Sequence, residues 1–257
     1  MLILLSNDDG IDSEGLHTLK EALSKTDDVW AVAPDSERTC IGHAITLHNP
    51  LRIKDHGDRF FSTNGTPADS VLLALRVILP RKPDLVISGI NKGPNMGQDV
   101  AYSGTVAAAK EGAFTGVISF AVSLNARTAF LFHDAARSVV DIVEKVRFGL
   151  LPPSTLLNVN IPNVPYEAVK GFKVTRLGKR IYNGNIIERI DPRGGPYYWI
   201  GGDGEGFEAI EGTDLHAVDQ GYLSLTPLHW DLTSHASIQG FKNIFLGGHY
   251  ENHSIDS

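Results

Sequence analysis

Residues 2–16 read LILLSNDDGIDSEGL: an apolar run that breaks into Asn7-Asp8-Asp9-Gly10 and then enters a helical pattern. Leu2 to Leu5 has the uninterrupted hydrophobicity of a strand covered on both faces. Beyond the turn, Leu16, Leu19, Ala22 and Leu23 fall on one helical face, with Asp12 or Ser13 placed to cap it. Strand, polar turn and helix in that order form the opening unit of a parallel sheet with crossover helices. The polar turn then lies beyond the strand's carboxyl end, where open α/β sheets bind ligands.

The same alternation continues along the chain. Val29 to Ala33 reads as a second strand closed by Pro34-Asp35. Thr66-Pro67-Ala68-Asp69 opens a helix with a capping hydroxyl, a proline at the first helical position and a carboxylate in the first turn. Val71, Leu72, Leu75 and Ile78 supply its apolar face. Leu85 to Ile90 is a further buried strand, followed by the glycine-rich stretch Asn91 to Gly97 and a helix over Thr105 to Ala113. Val117 to Val122, a helix over Asp134 to Arg147, and Leu156 to Ile161 complete a doubly wound, Rossmann-like, mostly parallel α/β sheet over residues 1–171. From residue 172 the helical periods give way to DPRGGPYYWIGGDGEGF and to GYLSLTPL, which alternates like an exposed strand with its apolar side down. Residues 172–257 are therefore expected to form a β-rich extension, packed on the same domain and reaching towards a partner subunit.

A chain of 257 residues, 42% hydrophobic and 21% charged, suffices for one large α/β domain. Its formal net charge of −7 argues against binding a nucleic-acid polymer, which needs a basic face to displace counterions. A single local phosphate remains compatible with that charge. One cysteine, Cys40, excludes an internal disulfide framework and fits a reducing compartment. The opening residues lack the basic segment of a secretory leader. No run approaches the roughly 18 apolar residues of a membrane span. A soluble, cytoplasmic protein is expected.

Three polar loops follow strands and should meet at one edge: Asn7 to Gly10, Pro34 to Thr39, and Asn91 to Asp99. Adjacent carboxylates repel unless they are solvated, protonated or shared by a cation. With an amide and a hydroxyl oxygen added, Asp8, Asp9, Thr39 and Asn91 make a hard-ligand set suited to Mg²⁺, Mn²⁺ or Ca²⁺ rather than to zinc. The plainer alternative is a turn followed by a helix cap. Gly89, Gly93 and Gly97 let the third loop approach a ligand closely, and Ser103-Gly104-Thr105 opens a helix whose free N–H groups favour an anion. Neither a Walker A sequence nor a GxGxxG fingerprint occurs there. Asn95, Ser103, Gly104 and Thr105 are the candidate phosphate contacts, although Ser103 or Thr105 taken singly reads as an N-cap. Lys92 is placed to neutralise phosphate and Asp35 to orient the Arg38 loop. His43 reads as structural or as a substrate contact, Cys40 as a small buried residue or a reactive one, and His17 as solvated surface.

ILLSNDDGIDSEGL, VAPDSERT, TNGTPADSV, SGINKGPNMGQDVAYSGTVAAAKEG, LNVNIP, TRLGKRIY and GTDLHAVDQGYLSLTPL together closely resemble the SurE (survival protein E) family of metal-dependent nucleotidases. The resemblance spans nearly the whole chain, in the family's order. It implies a 5′-nucleotidase that hydrolyses nucleoside 5′-monophosphates, with 3′-monophosphates and short polyphosphate as further substrates. It also implies one Mg²⁺ or Mn²⁺ on Asp8, Asp9, Thr39 and Asn91, with Asp8, Asp9 and Asn91 in the catalytic centre, and a homodimer or homotetramer joined through the C-terminal extension. One departure stands out: the family usually carries Ser-Gly where this chain has Thr39-Cys40. Threonine keeps the ligand oxygen and adds a methyl group, whereas Cys40 replaces a flexible glycine. Two other readings of the same residues are an aspartyl-phosphate-forming phosphatase with Asp8 as nucleophile and a nucleotide-sensing protein without turnover.

Overall fold

The computed structural model describes residues 1–147, 149, 151–182, 186–200 and 206–246. The first strands are β1 (Leu2–Ser6), β2 (Asp28–Pro34), β3 (Ile53–Asp55), β4 (Phe60–Thr63), β5 (Leu85–Lys92), β6 (Ile118–Asn125) and β7 (Leu156–Pro162). The extension adds β8 (Phe172–Val174), β9 (Arg180–Ile181), β10 (Ile186–Ile190), β11 (Pro196–Ile200), β12 (Gly206–Phe207) and β13 (Leu223–Leu228). Among the described residues the main sheet runs β3-β4-β2-β1-β5-β6-β7-β13-β8. From β4 through β7 neighbouring strands are parallel; β3 and β13 pair antiparallel to β4 and β7. The chain leaves β1 for β2 and β4 on one side and returns to β5, β6 and β7 on the other. The crevice between the carboxyl ends of β1 and β5 is thus the topological switch point, the place where such sheets take ligands.

Helices cover both faces: α1 (Glu14–Leu23), α2 (Pro67–Leu73), α3 (Gly104–Phe114) and α4 (Phe132–Val146). The alternation of side chains along β1 divides the core. Ile3 and Leu5 pack with Leu16, Leu19, Phe132 and Val139 beneath α1 and α4, while Leu4 packs with Val71, Val86 and Ala108 beneath α2 and α3. Of the two expected caps, Ser13 occupies the N-cap position of α1. Thr66 and Asp69 close a reciprocal capping box at α2, which ends at Leu73 and continues as a wide helical turn over Ala74–Ile78. α4 begins at Phe132, two residues before the expected Asp134. β5 runs on to Lys92, so Asn91 belongs to a strand end held by β6 rather than to a free loop.

The extension is β-rich, as expected, and carries two helices as well. It contains α5 (Asp214–Asp219), capped by the Thr213 hydroxyl, and α6 (His235–Leu246). β13 enters the main sheet between β7 and β8 and is not an exposed strand with one apolar side down: Ser224 and Thr226 are as buried as Leu223. The polar face is buried at Ser224 and Thr226, while Pro227 on the other face is exposed, and the hydroxyls of Ser224 and Thr226 satisfy one another and Thr175. β10 and β11 form a separate antiparallel hairpin with every residue exposed.

Gly15 lets α1 rest on the strand end that carries the third loop, since a Cβ there would lie 2.1 Å from the Ile90 carbonyl oxygen. Gly15→Ala is expected to destabilise the protein by about 1–3 kcal/mol through this overlap. The midpoint of urea unfolding measures it, and an unchanged midpoint would contradict the packing described.

Candidate active site

The site starts from a turn that frees two carboxylates. Asn7, buried, takes the Gly10 N–H on Oδ1 (3.1 Å) and donates through Nδ2 to the Gly10 carbonyl (2.9 Å) and to Ser13 Oγ (2.5 Å). One amide therefore builds the turn and ties it to the start of α1, so the turn reading and the carboxylate reading describe the same residues. Asp8 is only 6% exposed. The Thr105 hydroxyl donates to its Oδ1 at 2.6 Å. Gly104 has no side chain to obstruct it: a Cβ there would lie 2.8 Å from Asp8 Cβ and Oδ2. Burial raises the Asp8 pKa to about 6, and Asp9 adds to the rise, against the opposing Thr105 hydrogen bond. Asp9, half-buried, is also raised by burial and by Glu37, against the Lys92 N–H, which donates to Oδ2 at 3.1 Å, and the Lys92 charge.

The second loop reaches the same place because it is pinned along its length. Arg38 N–H donates to the Asp8 carbonyl (2.7 Å), Gly42 N–H to the Tyr102 carbonyl (3.0 Å), and the Thr66 hydroxyl to the Ala44 carbonyl (2.8 Å). Between these anchors the Thr39 hydroxyl donates to Glu37 Oε1 at 2.5 Å. Cys40 is exposed and has φ +57°, in the left-handed region that costs a residue with a Cβ about 1–2 kcal/mol. The glycine usual in the family at this point would carry no such cost. Asp35 Oδ1 lies 3.4 Å from Arg38 Nη2.

The third loop is fixed from beneath by side chains that sequence reasoning did not single out. Asn95 donates its N–H to Asn160 Oδ1 (2.9 Å), its carbonyl accepts from Asn158 Nδ2 (2.8 Å) and Asn160 Nδ2 (2.9 Å), and its own Nδ2 donates to Ser123 Oγ (2.8 Å). Asp214, fully buried, accepts the N–H groups of Gly97 (2.8 Å), Gly178 (2.7 Å) and Leu215 (2.8 Å). Gly97, at φ +58°, passes so near the Gly178 carbonyl that a Cβ would stand 2.8 Å from its oxygen. A signal for two of these residues was present in LNVNIP, where amides at alternate positions of an apolar strand must find partners inside the protein.

Asp8, Asp9, Thr39, Asn91, Asn95 and Ser103 line one cavity of about 720 Å³, which also receives Glu37, Asp99, Tyr102 and Tyr182. Asn91 Nδ2 donates to the Gly93 carbonyl (2.9 Å), and among the described residues Oδ1 has no partner. Ser103 is both the N-cap of α3, accepting from Val106 N–H at 3.1 Å, and a wall of the cavity. Thr105 differs from expectation as a phosphate contact. It is fully buried, and its hydroxyl is committed to Asp8. The anion at the amino terminus of α3 is thus the Asp8 carboxylate, with Gly104 giving it room. His43 pairs with Glu111 (3.0 Å) and packs on Phe114 outside this cavity. His17 is exposed and stacks on Phe60.

Among the described residues no three of His, Cys, Asp or Glu cluster as a metal cage. The oxygens of Asp8, Asp9, Thr39 and Asn91 nonetheless fit a hard divalent cation: two adjacent carboxylates with raised proton affinity, one amide oxygen without a partner among the described residues, and one hydroxyl. The model of the family described as survival protein SurE matches residues 3–184. The chain belongs to the SurE family. It is 46% identical over 243 residues to the 5′-nucleotidase SurE of Geotalea daltonii, covering 94% of this chain and 98% of that one. With the 5′-nucleotidase SurE of Aquifex aeolicus it shares 48% identity over 241 residues, 93% of this chain and 96% of that one. The crystal structure of the SurE protein from Aquifex aeolicus superposes with a TM-score of 0.87 at 48% identity, covering 95% of this chain and 99% of that one.

The Asp8 carboxyl holds its proton more tightly folded, at about 6, than in the unfolded chain, at the ordinary 3.8. For this group stability is therefore greatest below pH 4 and falls as pH rises through 6, by about 3 kcal/mol in the metal-free protein. Subtracting the unfolding free energy of Asp8→Asn from that of wild type, in chelator from pH 4 to 7, is expected to reveal this slope. A difference flat with pH would contradict it.

Proposed function

We propose that this SurE-family protein is a 5′-nucleotidase that hydrolyses nucleoside 5′-monophosphates with one Mg²⁺ or Mn²⁺ held by Asp8, Asp9, Thr39 and Asn91. The observation that carries the reading is the meeting of these four oxygen donors in one cavity at the switch point of the sheet. The curated relatives' names, 5′-nucleotidase SurE, support it. A bound divalent cation supplies Lewis-acid polarisation of the phosphate and a water of lowered pKa. The chain's own contribution is positional. Thr105 and Gly104 hold Asp8 from behind, Lys92 N–H holds Oδ2 of Asp9 while Oδ1 has no partner among the described residues, and Gly93 orients the Asn91 amide. Asn95, Ser103 and the Gly104 main chain are the proposed phosphate contacts, with Thr105 acting through Asp8.

The adjacency of Asp8 and Asp9 on one cavity wall, with no residue between them, supports shared ligation over nucleophilic attack by Asp8. Residues 1–171 are proposed as the catalytic core, and residues 172–257 as the extension that joins a homodimer or homotetramer. The exposed apolar side chains of α6, among them Phe241, Ile244 and Phe245, and of the β10–β11 hairpin support that assembly. No described helix is long and apolar enough to cross a membrane; a cytoplasmic location is proposed from the lone cysteine.

With Mn²⁺ and AMP, Asp9→Ala is expected to lose at least about a hundredfold in phosphate release while keeping its circular dichroism spectrum, and chelator is expected to silence wild type to the same degree. A fully active Asp9→Ala would end the proposal. Thr39→Ala is expected to raise the Mn²⁺ concentration for half-maximal activity about tenfold, with the maximal rate recovered at saturation. An unchanged metal requirement would remove Thr39 from the ligand set.

A further inference from the structure

A cavity that served only a phosphate and its cation could end at Asp8, Asp9 and Asn91. This one continues to two tyrosines, Tyr102 and Tyr182, with Ile200 at its rim. We infer that Tyr182 is a specificity-determining residue that receives the nucleobase on its ring face, with Asp99 as the positioning residue that holds the ring. The inference rests on the nucleotidase reading above.

Tyr182 belongs to the extension, yet it is tied to the third loop at two points. Its hydroxyl donates to Asp99 Oδ1. Arg180 Nε pairs with Asp99 Oδ2 at 2.6 Å. Beside them Gln98 Nε2 donates to the Arg180 carbonyl and Gln98 Oε1 accepts the Arg180 N–H, both at 2.9 Å. Gln98 thus fixes the main chain leading to Tyr182, and Asp99 fixes the tip of its ring. Burial and the Asp99 carboxylate push the hydroxyl up to about 12, so it remains a donor at any working pH. Both Asp99 oxygens are consumed by Arg180 and Tyr182, which leaves this acid a mechanical role at the cavity wall.

The ring is tethered at its edge and is still 45% exposed, so a face remains open beside the cavity. An aromatic face stacks on any base and distinguishes a nucleotide from a phosphate ester that lacks one. Tyr102 is 66% exposed, and its hydroxyl has no hydrogen-bond partner among the described residues. Of the two rings, Tyr182 is the one held ready before substrate arrives.

The test compares AMP with ribose 5-phosphate, which differ by the base alone, on the manganese-loaded full chain. Tyr182→Ala and Tyr182→Leu are expected to lower the ratio of kcat/KM for AMP over ribose 5-phosphate about tenfold, mainly through KM, with Tyr182→Phe, which keeps the ring face and loses the Asp99 tether, falling between those variants and wild type as Asp99→Ala does. Asp99→Ala is expected to lower the same ratio, and Asp99→Asn, which can still accept the hydroxyl, to restore it. An unchanged ratio in both Tyr182→Ala and Tyr182→Leu, or a loss in Tyr182→Ala alone, overturns the inference, the latter because bulk rather than a ring face would then be read. Equal kcat/KM for both esters in wild type also overturns it while leaving a phosphatase standing. A wild type that cleaves neither ester sinks the nucleotidase reading itself.

Discussion

The Asp8 carboxylate lies at the carboxyl end of β1, almost removed from water and next in sequence to another carboxylate. Burial and the neighbouring charge both disfavour it as an anion. Its position is maintained by the amino terminus of α3, where the Thr105 hydroxyl donates at 2.6 Å and Gly104 leaves space for the carboxylate to enter. Those contacts only partly offset the desolvation, so the pair retains an appetite for positive charge. The remaining site residues are arranged around that imbalance: Lys92 N–H on Asp9, the Asn91 oxygen at the end of β5, and the Thr39 hydroxyl on a loop whose Arg38 N–H is bonded to Asp8 itself.

Holding a third loop against this centre requires support from the opposite end of the chain. Asn95 lies 63 residues before Asn158, and Gly97 lies 117 before Asp214, yet each pair is joined by a buried hydrogen bond. Because β13 inserts between β7 and β8, the extension is built into the sheet that carries the site. Its polar stripe of Ser224, Thr226 and Thr175 continues the buried amides of β7. Asp214 then joins the turn at Gly178 to the loop at Gly97, and that turn leads directly to Arg180 and Tyr182. Completion of the sheet and the site geometry consequently share one segment of chain.

The Thr39-Cys40 pair places a local conflict at the edge of this centre. Cys40 adopts a left-handed backbone conformation that a glycine would take without cost. The loop holds it there because Arg38, Gly42 and Ala44 are each bonded to a different element. The added methyl of Thr39 and the added thiol therefore modify the surroundings of one proposed ligand oxygen, on a loop whose main chain is anchored at both ends.

The doubly wound sheet, the capping box at Thr66 and Asp69, and the candidacy of Asp8, Asp9 and Asn91 were legible in the sequence, because strand burial, helix capping and ligand placement beyond strand ends follow from local pattern and chain direction. What only the tertiary structure decided depends on pairings that no short window contains. Thr105 looks like a free helix-start hydroxyl until Asp8, 97 residues away, is found to occupy it. Asn158, Asn160 and Asp214 are bonded by a loop main chain that lies from 63 to 117 residues away in sequence. GYLSLTPL reads as an exposed strand with its apolar side down until its insertion beside β7 buries Ser224 and Thr226, and Tyr182 carries no local sign that Asp99 holds it. Local sequence specifies what each segment can form; which donor meets which acceptor depends on how the chain closes.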